Sequence, residues 1–326
     1  MNEIIYKFPN NHQNNMIILL PLVITDTTYA GEAASAFIVA AVMGNDTVNS
    51  GIVYIKDGIK KQHTIKRIDV QDIVQDRAAT PTSQGDMNVD GRILIPEDYM
   101  VYIEFNPRDF EEHWDAIKLS PELLDRALPA TAESYLIQQI LKRHDEYAEN
   151  AVWTSVKNSA TPYKYFDGFI QKLTNDPDTI IIAAPVTLTE ANIFDKLKLI
   201  KTAVPKPLKK NKNLKYLVSY ATKEIYENAL QALNSFIGTR VEDSAQMKYS
   251  GKDIVPLAGM PDDTIIACVC TPGMDSNLWI GMNSLGDDTK IELKQLQANS
   301  ELWFIKMLFK LDVQIGWPSE CVLYNV

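Results

Sequence analysis

Side chains able to do chemistry are present in this chain, but their spacing does not assemble a reaction. His12, His63, His113 and His144 show no HxH, HExxH or Cys-plus-His pattern that would gather ligands round a metal. His144 falls on the apolar stripe of a long helical segment, where a core histidine bonded to a neighbour is the expected role. Cys268-Val269-Cys270 puts two thiols on one face of a strand. They could touch a metal, but a buried pair of small apolar residues is the commoner use of that spacing. Glu111-Glu112-His113 holds acid and base groups, yet adjacent residues on a helix point to different sides and cannot converge on one bond. A solvated face or an intersubunit salt bridge suits them better. Asp262-Asp263 and Asp287-Asp288 sit in turn sequences that favour aspartate without catalysis. GxSxG, Walker and GxGxxG patterns do not occur. The expectation is a non-enzyme without cofactor or metal.

Two basic runs, Lys56–Arg67 and Lys206–Lys215, could each neutralise phosphates. Neither has the interleaved aromatics of a single-strand platform or the pattern of a recognition helix. The second is expected to be a solvated loop. The whole chain carries 42 acidic against 32 basic residues, a net charge of −10, which argues against a surface built to grip nucleic acid. Three cysteines without framework spacing point to a reducing compartment. The 326 residues, 46% of them apolar, can bury one large core or two to three modest ones.

The elements that must position these residues fall into blocks. The apolar run Met16–Ile24 is short, broken by Pro21 and preceded by Glu3 as well as Lys7, so it reads as a strand or an arm on a neighbouring surface, neither export signal nor membrane span. A small-residue helix capped by Asp26 or Thr27 is expected to follow and to stop at Gly44. Asp57-Gly58 between β-branched runs predicts a hairpin. Two further extended runs, TIKRIDV and RILIPEDYMVYIEF, are separated by the polar stretch QDRAATPTSQGDMNVDG, a gap that suits a projection reaching a partner.

The longest helix is expected over about 131–153. Leu136, Ile137, Ile140, Leu141, His144, Ala148, Ala151 and Val152 make one stripe on it. A helix capped by Thr187 or Thr189 and ended by Pro205, a strand at LKYLVS and a helix at TKEIYENALQAL follow. The last third reads as strands: TIIACVC, NLWIGM, KIELKQL, LWFIKMLFKLDVQIG and CVLYNV. Pro261 denies the helix region to Met260, and Asp262-Asp263 favour a turn, so the Met-Pro-Asp-Asp stretch should deliver the chain into the TIIACVC strand. The fold class is α+β with an arm and a protruding hairpin.

The stretches YSGKDIVPLAGMPDDTIIA, NLWIGMNSLGDD and KMLFKLDVQIGWPSECVLY, in that order, resemble the major capsid protein of tailed bacteriophages, the Hong Kong 97-type shell fold. TDTTYAGEAA and FDGFIQKL resemble in particular the proteins of phages of Bacteroides-like hosts. The resemblance implies an N-terminal arm over residues 1–50, a hairpin and extended E-loop over 51–106, and a peripheral domain with the spine helix over 107–180. It further implies an axial domain over 186–288 and terminal strands over 289–326 that return to the peripheral domain.

It implies a structural protein that self-assembles into pentamers and hexamers, forming an icosahedral head round double-stranded DNA held by weak non-specific contact. The expected place is the virion capsid, assembled in the bacterial host cytoplasm. Partners are further copies of itself, with scaffold, portal and cement proteins in some systems and no membrane. Candidate intersubunit residues are Arg77, Asp86, Arg92, Glu111 and Glu112. Some relatives cross-link subunits through a loop lysine; the expected loop tip, Arg77 to Arg92, has none, so no such link is expected. The alternatives are an encapsulin-like compartment shell of the same fold and a soluble enzyme with an unrecognised site.

Overall fold

The computed structural model of the chain describes residues 27–30, 45–71, 86–106, 132–237, 247–284, 290–297 and 302–326, with positions 74, 76, 77, 79, 80 and 82 between them. Mixed helix and sheet appear as expected, in two six-stranded sheets and one separate two-stranded ladder.

The first sheet is organised round its longest strand. β13 (Trp303–Ile315) pairs along Trp303–Met307 with β12 (Lys290–Gln295) and along Leu311–Ile315 with β11 (Leu278–Met282). Outside these lie β1 (Thr27–Ala30) on β12 and β2 (Tyr54–Lys56) on β11. β5 (Glu97–Phe105) pairs with β13 over Trp303–Leu311. The period-two pattern of β13 decides its faces: Ile305, Met307, Phe309, Leu311, Val313 and Ile315 are buried, while Phe304, Lys306, Leu308 and Lys310 stay half-buried.

Over the buried face lies the spine helix, α2 (Ala132–Thr154). Its 23 residues make a rod of about 34 Å at the standard helical rise. Ile137, Leu141, His144, Ala148, Ala151 and Val152 are buried along the expected stripe. Each large aliphatic side chain so buried contributes about 1.5–3 kcal/mol. The short helices α1 (Asp46–Asn49) and α3 (Phe169–Asn175) close the ends of this core.

Sheet two has the order β6 (Ile180–Ile181), β14 (Val322–Tyr324), β10 (Ile265–Val269), β7 (Leu214–Ser219), β9 (Lys252–Leu257), β8 (Lys248–Tyr249). One face, with Leu217, Ile266, Cys268 and Leu323, joins the spine core; the other, with Tyr216, Ile265, Ala267 and Tyr324, packs on α4 (Ile193–Ala203) and α5 (Tyr220–Ile237). Burial on both faces explains why TIIACVC and CVLY read as continuous apolar runs instead of alternating ones. β9 and β10 flank β7 on opposite sides, so the Met-Pro-Asp-Asp turn carries the chain across β7. Met260 is buried beneath it, and Asp263 takes a left-handed φ of 59° while its Oδ1 accepts the Leu188 N–H at 2.7 Å.

Four sequence expectations are corrected. Asp57-Gly58 does not close a hairpin: β2 pairs parallel with β11, and among the described strands β3 (His63–Gln71) pairs only with β4 (Asp86–Leu94). A turn is present, with Gly58 at φ 76°, but Asp57 accepts the Ser284 N–H at 2.9 Å, and Ile52 and Val53 beside it are buried. Core burial outweighs the local turn signal. Thr27 opens a strand, not a helix; the rest of the expected small-residue helix, 31–44, lies outside the described residues. The helix expected after Thr187 or Thr189 begins at Ile193, because residues 189–192 form a turn first: the Thr189 carbonyl accepts the Asn192 and Ile193 N–H groups at 3.1 and 3.0 Å, and Asn192 Oδ1 accepts the Thr189 N–H at 2.9 Å. β4 begins at Asp86, so the loop between the hairpin strands runs over 72–85 and Arg92 stands near the hairpin's base instead of at its tip.

Candidate assembly surfaces

Among the described residues the ladder of β3 and β4 pairs with no further strand; in its register His63 faces Leu94, Arg67 faces Asp90 and Gln71 faces Asp86. Its base is seated on the body. Ile65 and Leu94 are buried, and Leu94 packs where a Cβ on Gly281 would come within 2.6 Å of it, so only glycine at 281 permits the approach. Two arginines on the seated face fix the angle. Arg67 donates to Glu320 at 2.6 Å and lies over the Trp317 ring at 5.0 Å; Arg92 forms ion pairs with Asp176 and, at 3.4 Å, with Asp178. These groups are partly exposed, and such pairs contribute about 0–1 kcal/mol each, so they orient the hairpin more than they stabilise it.

The candidate residues are thus dispersed. Arg77 is exposed in the loop, Asp86 opens β4 opposite Gln71, Arg92 is engaged within its own chain, and Glu111 and Glu112 lie outside the described residues. Arg67 went unnoticed as an anchor; its place two residues from the position facing Arg92 appears only in the ladder's register, and its local sequence carries no signal of it.

A second polar cluster is buried. Glu149 on the spine accepts the Thr47 N–H at 3.0 Å, the Thr47 hydroxyl at 2.7 Å and the Gly259 N–H at 3.2 Å, while Trp153 Nε1 donates to Thr47 Oγ1 at 2.7 Å. Asp46 accepts Tyr220 OH and the Ala258 N–H, both at 3.1 Å. The α1 segment, the spine and the turn of sheet two are therefore joined at one carboxylate. A Cβ on Gly259 would come within 2.2 Å of the Glu149 carbonyl oxygen, so the turn can approach only as glycine. Nearby on the same helix, burial first, then Glu149 and Glu146, push the pKa of the Asp145 carboxyl up to about 6.

The remaining reactive groups serve packing. His144 Nε2 and Tyr99 OH are 2.8 Å apart and the imidazole stacks on Phe309 at 3.9 Å, as expected of a core histidine. Cys268 and Cys270 are buried with sulfurs 3.3 Å apart, and burial raises the Cys270 thiol well above its ordinary range, which keeps it protonated and inert. Among the described residues no group of three or more His, Cys, Asp or Glu could hold a metal ion, and no helix is long and apolar enough to cross a membrane. Lys206–Lys210 forms a short 3-10 helix instead of an open loop, with Lys206, Lys209 and Lys210 turned to solvent.

A groove of about 830 Å³ lies between Tyr99, Met100, Val101 and Ile103 of β5 and Gln139, Ile140, Arg143 and Tyr147 of the spine. Tyr163 and Tyr165 close one end.

No family model matches the chain, and no curated protein matches it in sequence. Solved structures do. A chain of the satellite phage P4 procapsid including size determination (Sid) protein superposes with a TM-score of 0.56 at 10% identity, over 90% of this chain and 91% of that one. The capsid of the native GTA particle gives 0.54 at 12%, over 87% and 89%. The cyanophage A-1(L) capsid gives 0.52 at 14%, over 86% and 93%. The chain has the fold of these capsid subunits, the Hong Kong 97-type architecture that its sequence resembles.

Proposed function

We propose that this chain is a major capsid protein: a structural, non-enzymatic subunit that assembles with copies of itself into pentamers and hexamers and closes an icosahedral head round double-stranded DNA. The observation that carries the reading is the separate β3–β4 ladder, which pairs with no other strand described in its own chain, on a fold matched over 90% and 87% of the chain by capsid structures. A hairpin that joins neither large sheet can gain contacts from a neighbour, so its ordering is offset by assembly. A head-to-tail contact of that kind closes into rings, and rings join into a shell.

On this reading residues 1–50 form the arm, 51–106 the hairpin and E-loop, 107–180 with 289–326 the peripheral domain, and 186–288 the axial domain. Arg77, Asp86, Glu111 and Glu112 are intersubunit contacts, and Arg92 sets the hairpin's angle toward the neighbour. The acidic balance keeps the inner wall from gripping phosphates, so DNA contact is weak and non-specific. Assembly takes place in the cytoplasm of a bacterial host, with a separate scaffold protein or none; scaffold, portal and cement proteins are partners in some systems of this kind.

Expression of the full chain followed by negative-stain microscopy tests this: closed shells are expected, and a monodisperse monomer with no particles would refute it. The contents of purified native particles separate a head, which holds nucleic acid, from a compartment shell, which holds a cargo protein.

A further inference from the structure

Three thiols meet on the face of sheet two that joins the spine core. Cys268, Cys270 and Cys321 are all buried there and all free, and Cys268 Sγ lies 3.3 Å from Cys270 Sγ. The register brings in the third. β10 and β14 run antiparallel with Ala267 facing Val322, so one step further along the same register Cys268 faces Cys321. The Cys321 carbonyl accepts the Ile180 N–H of β6 at 3.1 Å, and the Cys321 N–H donates to the Pro318 carbonyl at 2.9 Å, so neither group bonds to β10. Cys268 and Cys321 thus form a non-hydrogen-bonded pair, the position in which Cα atoms stand about 4.5 Å apart and facing side chains are closest. The bond to Cys270 lowers the Cys268 pKa, but a bond to Cys321 and then burial raise it, on balance well above the ordinary thiol range.

We propose that Cys268 and Cys321 are a disulfide site, whose bridge joins β14 to β10 while Cys270 stays a free thiol. A bridge needs Cα atoms about 4.4–6.8 Å apart, and the facing pair lies inside that range. Cys268 and Cys270, two residues apart on one strand, stand at about 6.6–6.8 Å, its upper end. β10 is paired on both sides, with β7 and β14, so drawing those two together would break a ladder. The loop closed by the Cys268–Cys321 bridge contains β11, β12 and β13, so it fastens the centre of the first sheet to the middle of the second. The chemistry is exchange with a low-molecular-weight disulfide. When the three-residue strand β14 opens locally, the Cys321 thiolate attacks one sulfur of the small disulfide and displaces one small thiol. The Cys268 thiolate then attacks the Cys321 sulfur and displaces the second, and the two protein protons end on the two small thiols. The use of the bridge rests on the self-assembly reading, because a head released from its host passes from a reducing to an oxidising medium. Its formation does not need assembly.

The test incubates the full-length chain with oxidised glutathione, unfolds it in N-ethylmaleimide and reads intact mass and a tryptic map. Alkylation of Cys270 alone is expected, with a disulfide joining the peptides 253–290 and 311–326. The thermal midpoint should rise by about 3–6 °C and fall back in dithiothreitol. Cys270→Ala should keep the linked peptides, and Cys268→Ala should lose them. Alkylation of all three cysteines in the wild-type chain overturns the proposal, as does a Cys268–Cys270 bridge or glutathione left on Cys321; these are read without any variant. A bridge in a chain that forms no particles sinks the capsid reading and leaves the site standing. Particles treated in the same way that still show three alkylated cysteines overturn the proposal and leave the shell standing.

Discussion

The hairpin base and the Glu149 junction both tie separate stretches of chain together with charged groups, but in opposite surroundings. At the hairpin base Arg67 and Arg92 are partly exposed, and each ion pair is open to water. At the junction Glu149 is 5% exposed, and three donors converge on its two oxygens. Bulk water competes for the first set and is largely shut out from Glu149. The difference implies a hinge that can be re-aimed by a neighbour at small cost, carried on a body that cannot rearrange without losing a buried network.

Breaking the junction should have the largest effect. Glu149→Ala leaves the buried Thr47 and Gly259 N–H donors without their acceptor, at about 1–3 kcal/mol each, read as a fall in urea midpoint at unchanged m-value. A loss under about 1 kcal/mol would erase the contrast. Asp312→Ala should follow: it accepts Lys172 Nζ at 3.0 Å and the Ile95 N–H at 3.0 Å, and it is 5% exposed. A loss of about 2–4 kcal/mol is expected by the same measurement.

The hairpin variants sharpen the other side of the comparison. Arg92→Ala and Arg67→Ala should each cost about 1 kcal/mol or less, yet change particle yield or shape by microscopy, because they alter an angle and not a core. Unchanged particles would show that the clamps set nothing.

Smallest is a pH effect at Asp145. Its folded pKa is raised from 3.8 to about 6, so the unfolded chain releases this proton first as pH rises. The group's contribution is therefore most favourable below about pH 4 and declines as pH climbs from about 4 to 6. Asp145→Asn should flatten that decline in thermal midpoint between about pH 4 and 6 and raise stability at neutral pH. A steeper slope in the variant would reverse the assigned sign.

Much of the architecture was legible because local pattern and burial agreed. The spine's stripe, the alternation in β13 and the continuous apolar runs of β10 and β14 each announce how many faces they bury. Where the two disagreed, burial won. Asp57-Gly58 makes its turn, but Ile52 and Val53 are drawn into the core and their strand joins β11. The surfaces were less legible. Arg67, Arg92, Glu320 and Asp176 meet only in the fold, across sequence separations of 253 and 84 residues, and nothing in their local sequence distinguishes them from solvated charges. That β5 pairs with β13 alone among the described strands is a property of topology that a strand's own residues do not encode.

The claim that this chain completes its contacts on copies of itself is tested most directly by native mass and negative-stain imaging of the purified full-length protein across a concentration series. Closed, uniform shells in equilibrium with small oligomers are expected. A stable monomer at every concentration, with the β3–β4 ladder fully protected from hydrogen exchange, would contradict it.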